Sequence, residues 1–507
     1  MTKKIVIIGA GIAGLSAGCY ARMNGYDAEI YEMHSLPGGM CTAWKRKGYT
    51  IDGCISWLTG SSPKNNFYKI WEELGAVQGR HMIDHEAFER FINADGRVFI
   101  VYCDADKLEK HMKELSPQDA ETIEVMCRYI RRFTKFRMPV TKAFQLFTRF
   151  DILKMMLRMM PYAKDYKFCN QISIDEFAQR FKDPFLREVI PMMFYDKEIS
   201  FFILVSTLAL LQNKAGGFPE GGSLAFAQAI EKRFLDLKGT IHYNQKVMQI
   251  LEENGRAVGI RLADGKDVTA DYVISAADLK TTIYHMLDGK HLDPVHESLF
   301  QNYKVFPSCV QISFGVKKEF PAEGGGASFI IHHLHKSLKI GTQTIEWFFE
   351  KNYSFDPTFA PRGKTVVECM IWIHDFFYWE ELHADKQAYQ EQKKQLEALM
   401  ADEMERIYPG FKEAIEMTDV ATPMTYVRYT GSWKGTFMTW VPTPKTTQLN
   451  RMIKKTVPGL ENFWLSGMWV VPPGGVPGGA KSSRDIIQII CKKDNKRFRT
   501  EVPKETN

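Results

Sequence analysis

The chain has 507 residues, of which 45% are hydrophobic and 25% charged, with a formal charge of +6. That length is too great for one simple core, so two or three lobes are expected, and the composition is that of a folded protein rather than a disordered or fibrous one. The modest charge, with nothing resembling a nucleic-acid module, points to no nucleic-acid partner. Nine scattered cysteines without CxxC or CxxxxC pairs fit a reducing cytosol, not a disulfide framework.

In chain order, Ile5-Val6-Ile7-Ile8 reads as a buried parallel strand beginning almost at the first residue, with no room for a signal peptide before it. Gly9, Gly11 and Gly14 follow at GxGxxG spacing. They serve the tight turn, the close approach of backbone to a pyrophosphate, and the packing of helix on strand. Ile12 to Met23 is predicted helical, Asn24-Gly25 stops it, and Ala28 to Tyr31 is the second strand. Glu32 ends that strand 18 residues after Gly14, where its carboxylate can accept hydrogen bonds from a ribose. Strand, glycines, helix, strand and acid in register predict a dinucleotide site.

Leu36-Pro37-Gly38-Gly39-Met40 reads as a loop passing close to something bulky, and GYTIDG (48–53) as a short strand ending in a turn. From about 105 to 210 the pattern is helical and rich in Met, Phe and basic residues, which crowd 131 to 167. Phe144 to Met160 reads as an amphipathic helix with Asp151, Lys154 and Arg158 on one side. It would rest either on a membrane interface or on its own domain. Ile199 to Leu211 is apolar but short of a membrane span, so it is expected as a buried helix.

Ala215 to Gly222 is a predicted loop and Leu224 to Leu237 a helix ended by Gly239. Strand signals follow at 247–251, 257–262 and 272–275, separated by Asn254-Gly255 and Asp264-Gly265. Alternation between about 307 and 375 predicts a second sheet, and 384 to about 408 a charged helix. His332, His333 and His335 fall on a presumed strand, where neighbours point to opposite faces, so no metal site is expected. The chain closes with NFWLSG (462–467), a glycine-proline loop, a helix from about Gly478 to Cys491, and a polar tail (492–507) expected to be disordered.

These segments together, from GAGIAGL and PGGM through GYTIDG and VISAAD to WLSGMWVVPPGGVPGG, resemble the amine oxidase and phytoene desaturase superfamily of FAD-dependent oxidoreductases. The similarity runs end to end and is greatest to the carotenoid desaturase and retinol saturase group. It implies an α/β fold: a Rossmann-like FAD domain of the glutathione reductase type in three pieces (1–105, 213–305, 445–507), a helical insert (106–212) and a mixed α+β substrate region (306–444). The implied cofactor set is Gly9, Ala10, Gly11, Ile12, Ala13 and Gly14 around the pyrophosphate, and Glu32 with Met33 at the adenosine ribose. It continues with Gly38, Gly39 and Met40 beside the flavin, Val247 at adenine, Ala276 near the pyrophosphate, Gly467 and Met468 at the ribityl phosphate, and Gly475, Val476 and Pro477 at the pyrimidine edge. Met40 and Met468 depart from the family pattern, which favours Arg at the first and a polar or acidic residue at the second.

Flavin chemistry would run through hydride at N5. With one GxGxxG only, no second dinucleotide domain is expected, and the electron donor or acceptor stays open. The resemblance and the Met/Phe-rich insert imply a long apolar lipid or isoprenoid substrate, desaturated, saturated or isomerised at carbon–carbon bonds. They also imply a cytoplasmic protein, peripheral on the inner face of a membrane through about 131–167. Ser56, Trp57, Tyr429 and Trp433 are candidates for the flavin-side pocket, and no acid–base residue is evident. Two alternatives remain: a flavin amine oxidase, and a flavin-containing lipid carrier without turnover.

Overall fold

The structure, a computed structural model, describes residues 2–320, 326–446 and 453–503. Residues 1, 321–325, 447–452 and 504–507 belong to the segments expected above but lie outside the described residues.

Continuous apolar runs build the first layer. Lys4–Ile8 is central in a five-stranded sheet ordered Phe463–Leu465, Tyr272–Ser275, Lys4–Ile8, Asp27–Tyr31, Thr240–His242, and every pairing is parallel. Such sheets need cover on both faces. Ile5 and Ile7 pack on one side against Leu15, Ile230 and Ile486 from the helices Ile12–Met23, Gly222–Asp236 and Gly475–Lys493. Val6 and Ile8 pack on the other against Val247, Ile250 and Ile260 of a three-stranded antiparallel meander.

The meander departs from expectation in one respect. Asn254-Gly255 does turn Val247–Glu253 into Arg256–Leu262, with both turn residues at positive φ as a two-residue hairpin requires. Asp264-Gly265 leads into Asp267–Thr269, a strand not anticipated, while Tyr272–Ser275 crosses over to the parallel sheet. The apolar run YVIS is suited to burial on both faces, which the meander does not offer.

A seven-stranded sheet forms the second layer, ordered Ile415–Ala421, Ser308–Val316, Thr365–Ile373, Gln343–Asn352, Ala327–Ile340, Ala87–Ile92, Val98–Tyr102. The last two strands were expected within the first cofactor segment. They pair instead with the substrate sheet, Ala87–Ile92 running parallel to Ala327–Ile340. One face is covered by Lys386–Ile407, whose Leu396, Met400 and Met404 meet Val310, Ile312 and Ile371. The charged helix expected from 384 to about 408 forms as Lys386–Ile407, with Asp385 accepting from the N–H groups of Gln387 and Ala388 as its cap; a further helix not anticipated, Phe376–Ala384, precedes it.

In the helical insert, Phe201–Gln212 is buried through Leu204, Val205 and Leu208, as its composition implies. No helix among the described residues is long and apolar enough to cross a membrane. The segment expected as one helix from Phe144 is a single 3-10 turn, Phe144–Leu146, followed by the helix Arg149–Met159. Thr148 and Asp151 form a capping box that sets the start.

The tail corrects another expectation. It is ordered through residue 503: Phe498 lies 6.0 Å from the Tyr20 ring and 5.1 Å from the Arg484 guanidinium, and the Arg499 N–H donates to Asn24 Oδ1 at 2.8 Å. One aromatic anchor in a polar run is enough to dock it. The final helix also begins at Gly475 rather than 478; Pro477 fits its first turn because the missing N–H would have no partner there.

Candidate active site

The glycine turn holds strand and helix together through close approach. Gly9, at φ +95°, donates its N–H to Tyr31 O at 2.8 Å. A Cβ on Gly14 would sit 1.8 Å from Gly9 O, so only glycine lets the helix start this near the strand. Gly11 bridges to Gly38, whose N–H donates to Ala10 O at 2.9 Å. The turn at 9–14 and the PGGM loop therefore form one wall.

Glu32 is buried and accepts from Ala10 N–H at 2.6 Å and His34 N–H at 2.8 Å. Burial raises its pKa, and these two N–H groups oppose the rise. Each oxygen keeps acceptor capacity for a ribose hydroxyl. The chain leading to Val247 runs alongside, with Glu32 N–H donating to His242 O and Gln245 N–H to Glu32 O. Met33 points outward, 37% exposed, towards Gly431.

Of the remaining predicted cofactor residues, Ala276 and Gly467 lie at the same turn. Ala276 N–H donates to Ile8 O, and a Cβ on Gly467 would lie 3.8 Å from Ala13 and 4.0 Å from Ala276 O. Gly467 N–H donates to Ser482 Oγ, and Ser483 Oγ donates to Ala13 O at 2.6 Å, so the last helix is pinned to the first. Met468 follows as the start of a 3-10 turn. Gly475, Val476 and Pro477 open the last helix. Neither helix start carries a side-chain cap. Two free helix N-termini beside a glycine cradle suit a pyrophosphate and an electron-rich ring, so the residues present fit FAD.

Beside this wall lies a cavity of about 710 Å³ lined by Glu32, Gly39, Met40 and Trp44 on one side and by Tyr389 and Tyr426 on the other. Tyr429 also lines it, half exposed and edge-on to His34 at 5.3 Å, so it lies beside the residues that follow Glu32. Ser56, Trp57 and Trp433 do not line it. Trp433 belongs to an aromatic cluster with Phe300, Trp440 and Trp469, and its backbone N–H donates to Asp278 Oδ2 at 3.0 Å. Trp57 packs edge-on against Phe88 at 6.3 Å.

Sequence reasoning missed the open face of the seven-stranded sheet. Register puts Gln311, Met370, Phe349 and Ile331 side by side, with Cys309 and Trp372 in the next row. Met370 and Trp372 stay half-exposed although their strand is flanked on both sides, so this face borders open space. They pack on a cluster of Cys309, Ala421 and Tyr426, against which the cavity-lining Met40 and Trp44 also pack. Tyr195 stands over Trp372 at 4.3 Å and Phe437 at 5.2 Å, held at φ +64°, a strained setting for a non-glycine residue.

The preceding row on that face is ionisable: Ser313, Glu368 and Lys351, then Phe329 and Glu89. Glu368 accepts from Asp52 N–H at 2.9 Å and from Tyr353 OH at 3.1 Å, while Lys351 Nζ donates to Ile55 O at 3.4 Å. Asp52 and Ile55 belong to the GYTIDG strand and its following loop, so the row buttresses the turn expected to face the ring. Burial pushes Glu368 up to about 8. Glu89 is wholly buried, neither oxygen has a partner among the described residues, and burial pushes its pKa well up. No periodicity signals this row, because its members come from five separate strands.

The three histidines behave as strand residues. His332 Nε2 pairs with Glu350 at 2.7 Å, and His333 Nδ1 lies 2.8 Å from Leu334 O. No group of His, Cys, Asp or Glu among the described residues could hold a metal.

A parallel sheet whose glycine turn, buried strand-end carboxylate and two uncapped helix starts lie with an apolar cavity is the arrangement of an FAD-dependent oxidoreductase. The chain belongs to the flavin containing amine oxidoreductase family, whose pattern it matches over residues 12–486. It is 25% identical over 455 residues to a chloroplast prolycopene isomerase of Daucus carota, covering 85% of this chain and 71% of that one. It is 22% identical to a lycopene-forming phytoene desaturase of a Paracoccus species, covering 96% and 97%. An oxidoreductase structure from Methanosarcina mazei has the same fold, with a TM-score of 0.59 at 17% identity over 96% of this chain and all of that one.

Proposed function

We propose that this enzyme uses FAD to move hydride at carbon–carbon bonds of a long, apolar, carotenoid-like isoprenoid, desaturating, saturating or isomerising it. The carrying observation is that Met370 and Trp372, partly exposed on the sheet beside Tyr195, pack on the same Cys309, Ala421 and Tyr426 cluster as Met40 and Trp44 of the cavity wall. Sulfur and ring faces suit a polyene, which offers no hydrogen-bonding group along its length. The named activities of the carrot and Paracoccus relatives support the same substrate class.

When bound, FAD supplies hydride acceptance and donation at its N5. The chain's own groups do the rest. Glu32 fixes the adenosine end, and the glycine turn and helix starts hold the pyrophosphate. Trp372, Tyr195 and Phe437 exclude water from the reacting carbons, and Glu368, protonated through neutral pH, adds little charge behind them.

The test is anaerobic photoreduction of the flavin followed by mixing with conjugated polyenes, and the oxidised enzyme with less unsaturated isoprenoids. Reoxidation by a polyene marks a saturase, reduction by an isoprenoid a desaturase, and geometric conversion without net flavin oxidation an isomerase. Flavin indifferent to every isoprenoid, yet bleached by a primary amine, would overturn the proposal.

A further inference from the structure

Two of the nine cysteines face each other beside the PGGM loop. Ala43–Arg46 and Tyr49–Asp52 form an antiparallel hairpin in which Ala43 faces Asp52. Gly53 N–H donates to Thr42 O at 2.9 Å, so the pairing runs on past the strand ends. One step further in the same register sets Cys41 opposite Cys54. Thr42 and Gly53 are a hydrogen-bonded position, which makes the next one non-hydrogen-bonded, where Cα atoms approach to about 4.5 Å. A disulfide spans Cα separations of about 4.4–6.8 Å, so it can bridge this position without a backbone shift.

Both cysteines are held in place. Cys41 Sγ donates to Ser223 O at 3.5 Å. Cys54 N–H donates to Asp52 Oδ1 at 3.0 Å, and the same oxygen accepts from Ser223 Oγ at 2.6 Å. The neighbouring Cys54 thiol, and burial after it, push the Cys41 thiol well above its ordinary range. Access to the two is unequal. Cys41 is 2% exposed, whereas Cys54 is half-buried and follows Gly53, which lines the cavity. An incoming reagent therefore reaches Cys54 first, and Cys41 is placed to resolve what forms there.

We infer that Cys41 and Cys54 are a redox-active dithiol that hydrogen peroxide closes to a reversible disulfide, stapling the PGGM loop to the turn after GYTIDG. Cys54, as its thiolate, attacks one peroxide oxygen; the O–O bond breaks, the leaving hydroxide takes up a proton as water, and Cys54 sulfenic acid remains. Cys41 Sγ then attacks Cys54 Sγ. The S–S bond forms, the S–O bond breaks, and the Cys41 proton departs with the hydroxyl as a second water. The two sulfurs together give two electrons to the peroxide, and a dithiol reductant reverses the bond by exchange. Met40 and Gly53, each next to one of these cysteines, line the cavity, so the closed staple fixes its wall and slows release of FAD. That last consequence rests on the cofactor reading above; the bond itself does not.

The test treats flavin-loaded enzyme with hydrogen peroxide, alkylates free thiols, and maps peptides by mass spectrometry without reduction. A Cys41–Cys54 cross-link should dominate and vanish with dithiothreitol. Cys103, also partly exposed but facing Glu86 across its strand pair, should stay open to alkylation. FAD release and amide exchange over 38–55 should both slow at least threefold on oxidation. Cys54→Ser should make both insensitive to peroxide, and Cys41→Ala serves instead where Cys54→Ser loses flavin before oxidation. Protein that closes the bond without ever holding FAD would fail the cofactor reading alone, because amide exchange still reports the staple. Cys54 driven to sulfinic acid with Cys41 still free, a bond from Cys54 to another cysteine, or a closed bond that leaves amide exchange unchanged would overturn the inference.

Discussion

Gly14→Ala gives the sharpest test of the cofactor cradle. The added Cβ would lie 1.8 Å from Gly9 O, against about 3.4 Å for ordinary contact, so helix and turn must part by about 1.6 Å. Gly9 cannot yield easily, since its N–H is bound to Tyr31 O at 2.8 Å and its φ is +95°. The helix start must therefore retreat, and a hydrogen bond of about 2.9 Å from it to a phosphate oxygen would stretch beyond about 4 Å, which is no bond. Two such charge-assisted bonds at ~1.5–3 kcal/mol each amount to about 3–6 kcal/mol, or roughly two to four decades in FAD affinity. Titration of apoprotein with FAD, followed by quenching of flavin fluorescence, measures this directly. Gly25→Ala is the control: nothing lies within 4 Å of its added carbon, so its backbone strain should leave FAD affinity alone. Gly14→Ala protein that binds FAD within threefold of wild type would refute the reasoning.

Two further outcomes follow from the buried charges. Arg484 makes two bonds to Glu73, at 2.9 and 3.1 Å, and Tyr20 OH donates to the same carboxylate. Glu73→Gln leaves the guanidinium uncompensated and should cost about 3–5 kcal/mol in urea unfolding, whereas Glu73→Leu with Arg484→Met should recover most of it. A double variant no better than the single one would show that the pair's charge is not what matters. Glu368 has a folded-state pKa of about 8, above its ordinary value, so the folded protein keeps a proton that the unfolded chain releases. Its stabilising contribution is thus complete at acid pH and is lost as pH rises through about 8, by at most ~1.4 kcal/mol per pH unit. Glu368→Gln should flatten that decline between about pH 5 and 8, read as the denaturation midpoint at several pH values; an unchanged slope would count against it.

Much of the cofactor half is legible residue by residue. The run at Ile5–Ile8, the glycines and Glu32 are local signals: the run forms the strand, the glycines the turn after it, and Glu32 lies buried against that turn, accepting from Ala10 N–H. Asn254-Gly255 is equally local, and its hairpin forms. Legibility stops where one segment must choose among partners. Ala87–Ile92 could pair in either sheet by its pattern, and Phe498 has no sequence signal for the Tyr20 and Arg484 rings and charges it meets. The sequence neighbourhood of Trp433 gives no sign of the aromatic cluster with Trp440 and Trp469 in which it sits.

The amino-acid order alone thus determined the dinucleotide cradle, since GxGxxG and its flanking strands act over some thirty residues. It also determined the amphipathic character of residues 149–160. Only the tertiary structure decided that the apolar side there faces outward and that Met370, Trp372 and Tyr195 form an open apolar face. It likewise decided that Glu368, Lys351 and Glu89 stand in one buried row. The sheet outcomes depend on strand register between segments as much as about 280 residues apart, and register follows from the packing of the whole sheet rather than from any window of the chain.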